Sequence, residues 1–426
     1  MATKFLEPGG DADFQVTSGN GFWASTVNSP TAVTDFVHGH HVKSIKSAGA
    51  QVFRTPNATI SDAGARVSFY IYIATLSAAT DFILSFEQTS GTTCFALALT
   101  SGGVLRVVDK FNAQYGTDGP TLSTGVWYRV SCAYTVTSTT VNRIEVFVNS
   151  VSAISITNVT LSSVTTSRLD FGNNTSSGSP SLRYSDIYVD DSNSLTDTGD
   201  IWVTAKRPFS NGTTNGFTTQ IGSGGSGYGS GNSQQVNERP LSTTNGWSMI
   251  GAGSAVIEEY NIESSYIGDF EVAYATIVDW IGWASMSALA GETVQLIVGG
   301  ANFSTAITSS ATIYTAVKGS STYPAGSGSD IGITTDTSLT TVSLYECGIL
   351  VAFIPPLPQD TAPIPTVSQP SINYYLPAAN RYVDQNSLGR QPRFEGAVIP
   401  PPITIQPGFS TLHTPVQFPN QRQMST

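Results

Sequence analysis

Charged side chains are scarce in this sequence. Only 12% of its 426 residues are charged, and 19 Lys and Arg against 30 Asp and Glu give a net charge of −11. Phosphate backbones and anionic membrane surfaces are bound by clusters of basic residues, which this chain lacks. No run approaches the ~18 apolar residues of a membrane span. The composition therefore predicts neither nucleic-acid binding nor membrane insertion.

Cysteine is also rare. The three cysteines, Cys94, Cys132 and Cys347, are odd in number and widely spaced, which fits neither a disulfide framework nor a zinc site. We expect buried apolar thiols in a protein made in a reducing cytoplasm. The N-terminal sequence MATKFLEPGG has no apolar stretch of signal-peptide length, which favours the same compartment.

Patterns that carry catalytic chemistry are missing as well. No strand shows alternating carboxylates of the kind that could flank a glycosidic bond from one cleft. A G-x-S-x-G nucleophile elbow is absent, and the Gly/Ser-rich residues 222–233 lack the Lys-Ser/Thr that completes a phosphate loop. On these grounds the sequence predicts that the protein is not an enzyme.

Strand patterns, by contrast, are dense. Apolar and polar residues alternate in VWYRVSCAYTV (126–136) and RIEVFVN (143–149), and VSFYIYIA (67–74) and TVSLYECGILVAF (341–353) are rich in β-branched and aromatic residues. Clusters of Gly, Asn, Asp and Ser separate these runs, and no amphipathic helix of useful length is found. We predict an all-β protein with two antiparallel β-sandwich (jelly-roll) domains and an extended proline-rich C-terminal arm.

Composition shifts along the chain suggest four regions. Residues 1–196 are predicted to form the first sandwich, and residues 197–246 a Gly/Ser-rich connector with one strand. Residues 247–354 are predicted to form the second sandwich. The last region, residues 355–426, contains 14 of the 22 prolines, and proline cannot donate to a sheet ladder.

The proline-rich arm also carries spaced aromatic and basic side chains. Such anchors suit a segment laid over a neighbouring subunit rather than a solvated linker. The residues predicted to contact a partner are Tyr374, Tyr375, Arg381, Tyr382, Arg390, Arg393 and Phe394.

A few residues are candidates for ligand binding. Asp190 and Asp191 end a strand at an oxygen-rich turn, where Ca²⁺ is an alternative to a purely structural role. Trp280 and Trp283 stand three residues apart near a predicted turn and are candidates for a glycan site. Trp127 lies in an alternating strand, and we predict a core position for it. No other cofactor is predicted.

Three motifs point to a family. Gly125 with Trp127-Tyr128-Arg129-Val130 opens one strand, Val-Phe-Val-Asn closes another at Asn149, and Asp-Ile-Tyr-Val-Asp-Asp ends a third at Asp191. In this order they resemble the concanavalin A-like (laminin-G-like) lectin domain. The Gly-Asp-Ile-Trp-Val run that follows at 199–203 extends the resemblance to a group of tailed-bacteriophage virion proteins, in which a second β domain follows the lectin-like one.

The resemblance implies a phage virion structural protein. We expect an oligomeric decoration or fibre component of the capsid or tail surface, made in the bacterial host cytoplasm and anchored to other virion proteins through its arm. A homotrimer is the state that the resemblance implies. The alternative is a carbohydrate-binding adhesin that recognises host surface glycans, and the two functions are compatible.

Overall fold

The structure of this chain is a computed structural model. It divides into two units, Met1–Ile372 and Asn373–Thr426. The residues that the structure describes all lie in the first unit and are 3–8, 23, 25–27, 31–37, 41–57, 59–61, 63–136, 141–161, 166–173, 180–217, 219–221, 232–233, 236, 246–249, 256–262, 266–267, 270–271, 276–287, 293–317, 331–335 and 342–354.

The described residues between 3 and 190 form fifteen strands. They are β1 (Thr3–Glu7), β2 (Ser25–Val27), β3 (Thr31–Val37), β4 (His41–Ala48), β5 (Val52–Arg54), β6 (Gly64–Thr75), β7 (Asp81–Glu87), β8 (Thr93–Leu99), β9 (Leu105–Val108), β10 (Gln114–Tyr115), β11 (Trp127–Val136), β12 (Val141–Val148), β13 (Val151–Thr160), β14 (Arg168–Gly172) and β15 (Ser181–Asp190).

These strands form two antiparallel sheets. Sheet 1 has the order β13-β12-β11-β6-β15-β4-β3, with β1 also paired to β15, and sheet 2 has the order β10-β9-β8-β7-β14-β5-β2. The two sheets pack together because each turns an apolar face towards the other, and these two faces bury one another.

Aromatic rings fill the space between sheets 1 and 2. The ring of Phe86 in sheet 2 meets that of Tyr134 in sheet 1 edge-on, with centroids 5.4 Å apart. Phe171 and Phe69 make a similar contact at 5.6 Å. Trp23 is 1% exposed and extends this core, since its ring lies 4.8 Å from Phe5 on β1. The two sheets therefore form a β-sandwich, here called the first sheet pair.

The described residues between 202 and 354 form thirteen further strands. They are β16 (Trp202–Lys206), β17 (Pro208–Asn215), β18 (Thr219–Ile221), β19 (Gly246–Met249), β20 (Ile257–Ile262), β21 (Tyr266–Ile267), β22 (Phe270–Glu271), β23 (Thr276–Ser287), β24 (Thr293–Val298), β25 (Ala301–Ala306), β26 (Thr312–Val317), β27 (Ile331–Thr335) and β28 (Val342–Ile354).

A second sheet pair is built from them. Sheet 3 has the order β18-β19-β28-β23-β26, with β16 also on β28, sheet 4 has the order β17-β20-β27-β24-β25, and β21 pairs with β22 alone. The sheets approach closely where Gly282 of β23 faces β24, because a Cβ there would come within 2.4 Å of the Val298 side chain. Only glycine permits this spacing.

The predicted all-β class and antiparallel sandwich architecture are confirmed. Cys94, Cys132 and Cys347 are buried and form no disulfide, as expected. Among its described residues, the connector predicted with one strand contains β16, β17 and β18, which pair into sheets 3 and 4. The turn-forming residues around these strands hid them in the sequence. The four-region division itself remains a prediction, and the arm lies outside the described residues. Within those residues, no helix is long and apolar enough to cross a membrane.

Candidate functional site on the outer faces of sheets 1 and 2

The outer face of sheet 1 carries polar and aromatic residues in rows that run across its central strands. On β11, Val130, Cys132 and Tyr134 point into the core, so the alternate positions lie on the outer face. Trp127 pairs with Tyr72 of β6, and Arg129, the next outer position, pairs with Tyr70. The face is divided between a part that is covered by another segment of the chain and a part that is open.

The covered part is organised by Arg129. Its guanidinium is 4% exposed and donates to both carboxylate oxygens of Asp197, which makes a bidentate ion pair. The same side chain donates to the carbonyl of Gly199 at 2.7 Å and to the hydroxyl of Ser150 at 2.6 Å. Residues 190–203, which lead to β16, are therefore bound across sheet 1. We call this set of contacts the clamp.

The electrostatics of the clamp favour its ionised form. Burial alone would raise the pKa of Asp197, but the hydrogen bonds and positive charge of Arg129 outweigh it and hold that pKa below its ordinary value. The phenol of Tyr70, which is paired with Arg129 across the strands, donates to Asp200. Burial raises the pKa of both Tyr70 and Asp200, so this second contact is formed by a phenol that stays neutral.

A bulge in β15 supplies the third contact. The pairing of β15 with β6 shifts between Ser185 and Tyr188, and Asp186 there has a φ of +52°. The carboxylate of Asp186 is fully buried and accepts from the backbone N–H of Val203 at 2.7 Å. A bulge commonly redirects one side chain, and here it ties sheet 1 to the strand that opens the second sheet pair.

The calcium candidates lie at the edge of the clamp, each beside a cation. Asp190 is fully buried and accepts from Arg66, with Nη2 and Oδ2 2.7 Å apart. Asp191 pairs with Lys4 of β1 at 3.1 Å. Among the described residues, no three His, Cys, Asp or Glu side chains gather as a metal site would require. The contacts explain both aspartates through ion pairs within the protein.

The open part of the face carries an aromatic ladder. The rings of Trp127 and Tyr72 lie 5.5 Å apart, and the guanidinium of Arg183 on β15 stands 5.0 Å from the centre of the Tyr72 ring. All three side chains are half-buried, so part of each faces solvent. The ladder spans β11, β6 and β15, and it offers aromatic faces next to hydrogen-bond donors.

The prediction of a core position for Trp127 is wrong. Trp127 shares its strand face with Arg129 and Ser131, whereas the apolar set of β11 begins at Tyr128. The alternation of Trp127 with Arg129 and Ser131 was the sequence signal for an outward-facing side chain. The large apolar indole suggested burial instead.

The structure places the glycan candidates Trp280 and Trp283 on one strand. Both lie inside β23, in a stretch where the pairing with β28 is unbroken. A glycan site at these positions stays a prediction. The seven candidate contact residues of the arm lie outside the described residues, so their partners remain a prediction.

Sheet 2 carries a charged cluster that sequence patterns missed. On its outer face Arg54 and Asp170 form a bidentate ion pair, with Nε and Oδ1 2.7 Å apart. Arg168 donates to Glu87 at 3.0 Å. Burial, joined by the charge of Asp170, raises the pKa of Glu87 from 4.5 to about 7, against the opposing hydrogen bond from Arg168. Glu87 can therefore gain or lose a proton near neutral pH.

Substitution of Arg129 tests the clamp. Arg129→Ala would leave the half-buried Asp197 carboxylate and the Gly199 carbonyl without their charged donor, and losing such charge-assisted hydrogen bonds typically costs about 1.5–3 kcal/mol. We expect that loss in the free energy of unfolding, measured by urea denaturation. Arg106→Ala removes one partner of the exposed Arg106–Asp118 pair, and this control should change little. Equal losses in the two variants would contradict the clamp.

The Glu87 carboxyl predicts a pH dependence of stability. Because its pKa is raised on folding, the folded state binds this proton more tightly than the unfolded state. The resulting stabilisation is full below about pH 4.5 and is lost as the pH rises towards 7. Glu87→Gln should flatten that decline, which amounts to roughly 1 kcal/mol per pH unit at its steepest.

Urea denaturation between pH 4 and 8, in steps of about half a unit, measures this effect. Glu145→Gln is the matched control, since Glu145 is half-buried in sheet 1 and accepts from Ser155. An unchanged slope for Glu87→Gln would remove the role assigned to Glu87.

Comparisons with known proteins give fold likenesses only. No protein-family model matches the sequence, and a search of curated proteins returned no significant match. A sialidase from Trypanosoma rangeli is similar at 12% identity and a TM-score of 0.29, over 34% of this chain. The chain spans about a quarter of that protein's length, 25%.

Two smaller structures are covered almost completely. Domain 4 of an extracellular arabinanase from Geobacillus stearothermophilus, in complex with arabinotriose, is 13% identical with a TM-score of 0.32, over 44% of this chain and 93% of that one. A carbohydrate esterase from the Shiga toxin-encoding bacteriophage phi24B is 12% identical with a TM-score of 0.32, over 45% and 99%. Likenesses at this level assign neither activity nor ligand to the chain.

The prediction that the protein is not an enzyme is nevertheless corrected. The similar structures are described as a sialidase, a domain of an arabinanase and an esterase, which contradicts it. The physical reason lies in the criterion used, which looked for carboxylates alternating along one strand. Glu87 and Asp170 reach one face of sheet 2 from the neighbouring strands β7 and β14. The absence of alternating carboxylates along one strand therefore did not exclude neighbouring carboxylates on one face of the sheet.

Proposed function

We propose that this chain is a structural protein of a tailed-phage particle, an oligomeric decoration or fibre component of the capsid or tail surface. In this proposal residues 355–426 anchor it to other virion proteins. The observation that supports it most is the clamp around Arg129, because the clamp is formed by residues of the motifs that carry the resemblance to this group.

The correspondence between motif and clamp is specific. Arg129 belongs to the Trp-Tyr-Arg-Val motif, Asp186 and Asp190 to the Asp-Ile-Tyr-Val-Asp-Asp motif, and Asp200 to the Gly-Asp-Ile-Trp-Val run. Arg129 and Asp186 bond to the segment between the sheet pairs, and Asp190 and Asp200 are part of it. A protein that projects from a particle must transmit force through such a joint.

The arm can be tested by truncation. A chain that ends after Phe353 keeps nearly all of β28 and loses residues 354–426. We expect it to fold and to be absent from particles, measured as copies per purified particle by mass spectrometry. The full-length Arg106→Ala variant is the control for incorporation of a substituted chain. Normal incorporation of the truncated chain would refute the anchor.

Carbohydrate binding is a second candidate function, favoured by the aromatic ladder. The faces of Trp127 and Tyr72 could stack on the C–H faces of a sugar ring, and the Arg183 guanidinium could bond its hydroxyls. This arrangement uses the part of the sheet 1 face that the clamp leaves open. A surface protein of a particle could use it to recognise host glycans.

A glycan array of bacterial surface oligosaccharides tests this second function. If the ladder binds sugar, Trp127→Ala should weaken binding about tenfold, equivalent to ~1.4 kcal/mol. Phe111→Ala is the matched control, because Phe111 is 76% exposed and lies outside the ladder. No binding by the unmodified protein, or equal binding by both variants, would count against a glycan site.

A further inference from the structure

The second sheet pair ends on one side in two unusual strands. Strand β25 is the last strand of sheet 4 and β26 the last of sheet 3, and only Ile307–Ala311 separates them in sequence. Strands β23 and β24, their neighbours, face one another across the pair at Gly282 and Val298. The two sheets therefore end on the same side, and no described strand pairs with the outer side of β25 or β26.

This edge lacks the features that normally protect a sheet edge. Natural edges are guarded by charges, by proline or by bulges, since their unpaired backbone groups otherwise recruit another strand. Residues 293–317 contain no Asp, Glu, Lys, Arg or Pro. β25 pairs with β24 over six residues without a shift, and β26 pairs with β23 over six residues likewise.

The other described edges carry guards. β13 has two register shifts and a φ of +58° at Asn158. β17 begins at Pro208 and shifts register twice. β3 contains Asp35 and one shift. β1 contains Lys4 and one shift, and β16 ends at Lys206. The outer strands β2, β10 and β18 and the isolated pair β21 and β22 are only two or three residues long. The unguarded state of β25 and β26 is thus particular to this side.

Side chains on the edge bond inward rather than outward. The amide of Asn302 on β25 donates to Gln295 of β24 at 3.1 Å, and the Gln295 amide reaches Ser304 at 3.5 Å. The Tyr314 hydroxyl of β26 accepts from the backbone N–H of Thr308 at 2.8 Å. These contacts are made within the second sheet pair, so the side chains involved are not committed to the outer side of the edge.

We propose that the β25–β26 edge is an interface with a second copy of this chain, formed by antiparallel strand pairing about a two-fold axis. Antiparallel self-pairing of β25 would set Ala301 opposite Ala306, Asn302 opposite Thr305 and Phe303 opposite Ser304, and no like charges meet. Each copy carries a net charge of −11, so contact between copies is least opposed where neither contributes charge. An isologous contact of this kind closes as a dimer.

The proposal concerns the purified protein and stands apart from its place in a particle. Ser304 and Thr315 are exposed on β25 and β26. We expect the unmodified chain to sediment as a dimer and the double variant Ser304→Lys, Thr315→Lys to dissociate at least tenfold more readily. Ser152→Lys on the guarded strand β13 is the control and should remain a dimer. A monomer for the unmodified chain, a trimer, or a dimer unaffected by the double substitution would overturn the proposal.

Amide hydrogen exchange provides a test without substitutions. Pairing with a second copy should slow exchange at the edge-facing amides of β25 and β26 as the protein concentration rises, while β13 stays unchanged. This measurement still tests the interface if the double variant fails to fold. Exchange in β25 and β26 that is independent of concentration would overturn the interface.

Discussion

The guanidinium of Arg129 is the contact on which the organisation of this chain depends. It lies almost fully buried on the outer face of sheet 1, and it binds both the carboxylate of Asp197 and the carbonyl of Gly199. A buried cation requires a paired anion and filled hydrogen bonds, so the segment that provides them is fixed in place. That segment leads directly into β16 of the second sheet pair.

The clamp also determines which part of sheet 1 can meet other molecules. The row of Arg129 and Tyr70 is covered by residues 190–203, while the next row on the same face, Trp127 and Tyr72, stays open. One sheet face thus carries a structural joint and, in the adjacent row, an open aromatic surface. The second sheet pair adds a different surface, the unguarded β25–β26 edge, whose chemistry is that of backbone pairing rather than of side chains.

Low charge density links these features. In a chain with only 12% charged residues, several charges of the described sheets are buried and paired. The Arg54–Asp170 and Arg168–Glu87 pairs on sheet 2 follow the same pattern as Arg66–Asp190 on sheet 1. Burial makes each of these pairs sensitive to the loss of one partner.

The sequence by itself determined the β class and the burial of Cys94 and Cys132, because side chains alternate with a period of two and the pattern is local. It misplaced Trp127, since alternation separates two faces without saying which one meets the other sheet. It also missed Glu87 beside Asp170 and Arg129 beside Asp197, which are 83 and 68 residues apart in the chain. Only the tertiary structure decided those contacts, because strand order in a sheet depends on pairings distant in sequence.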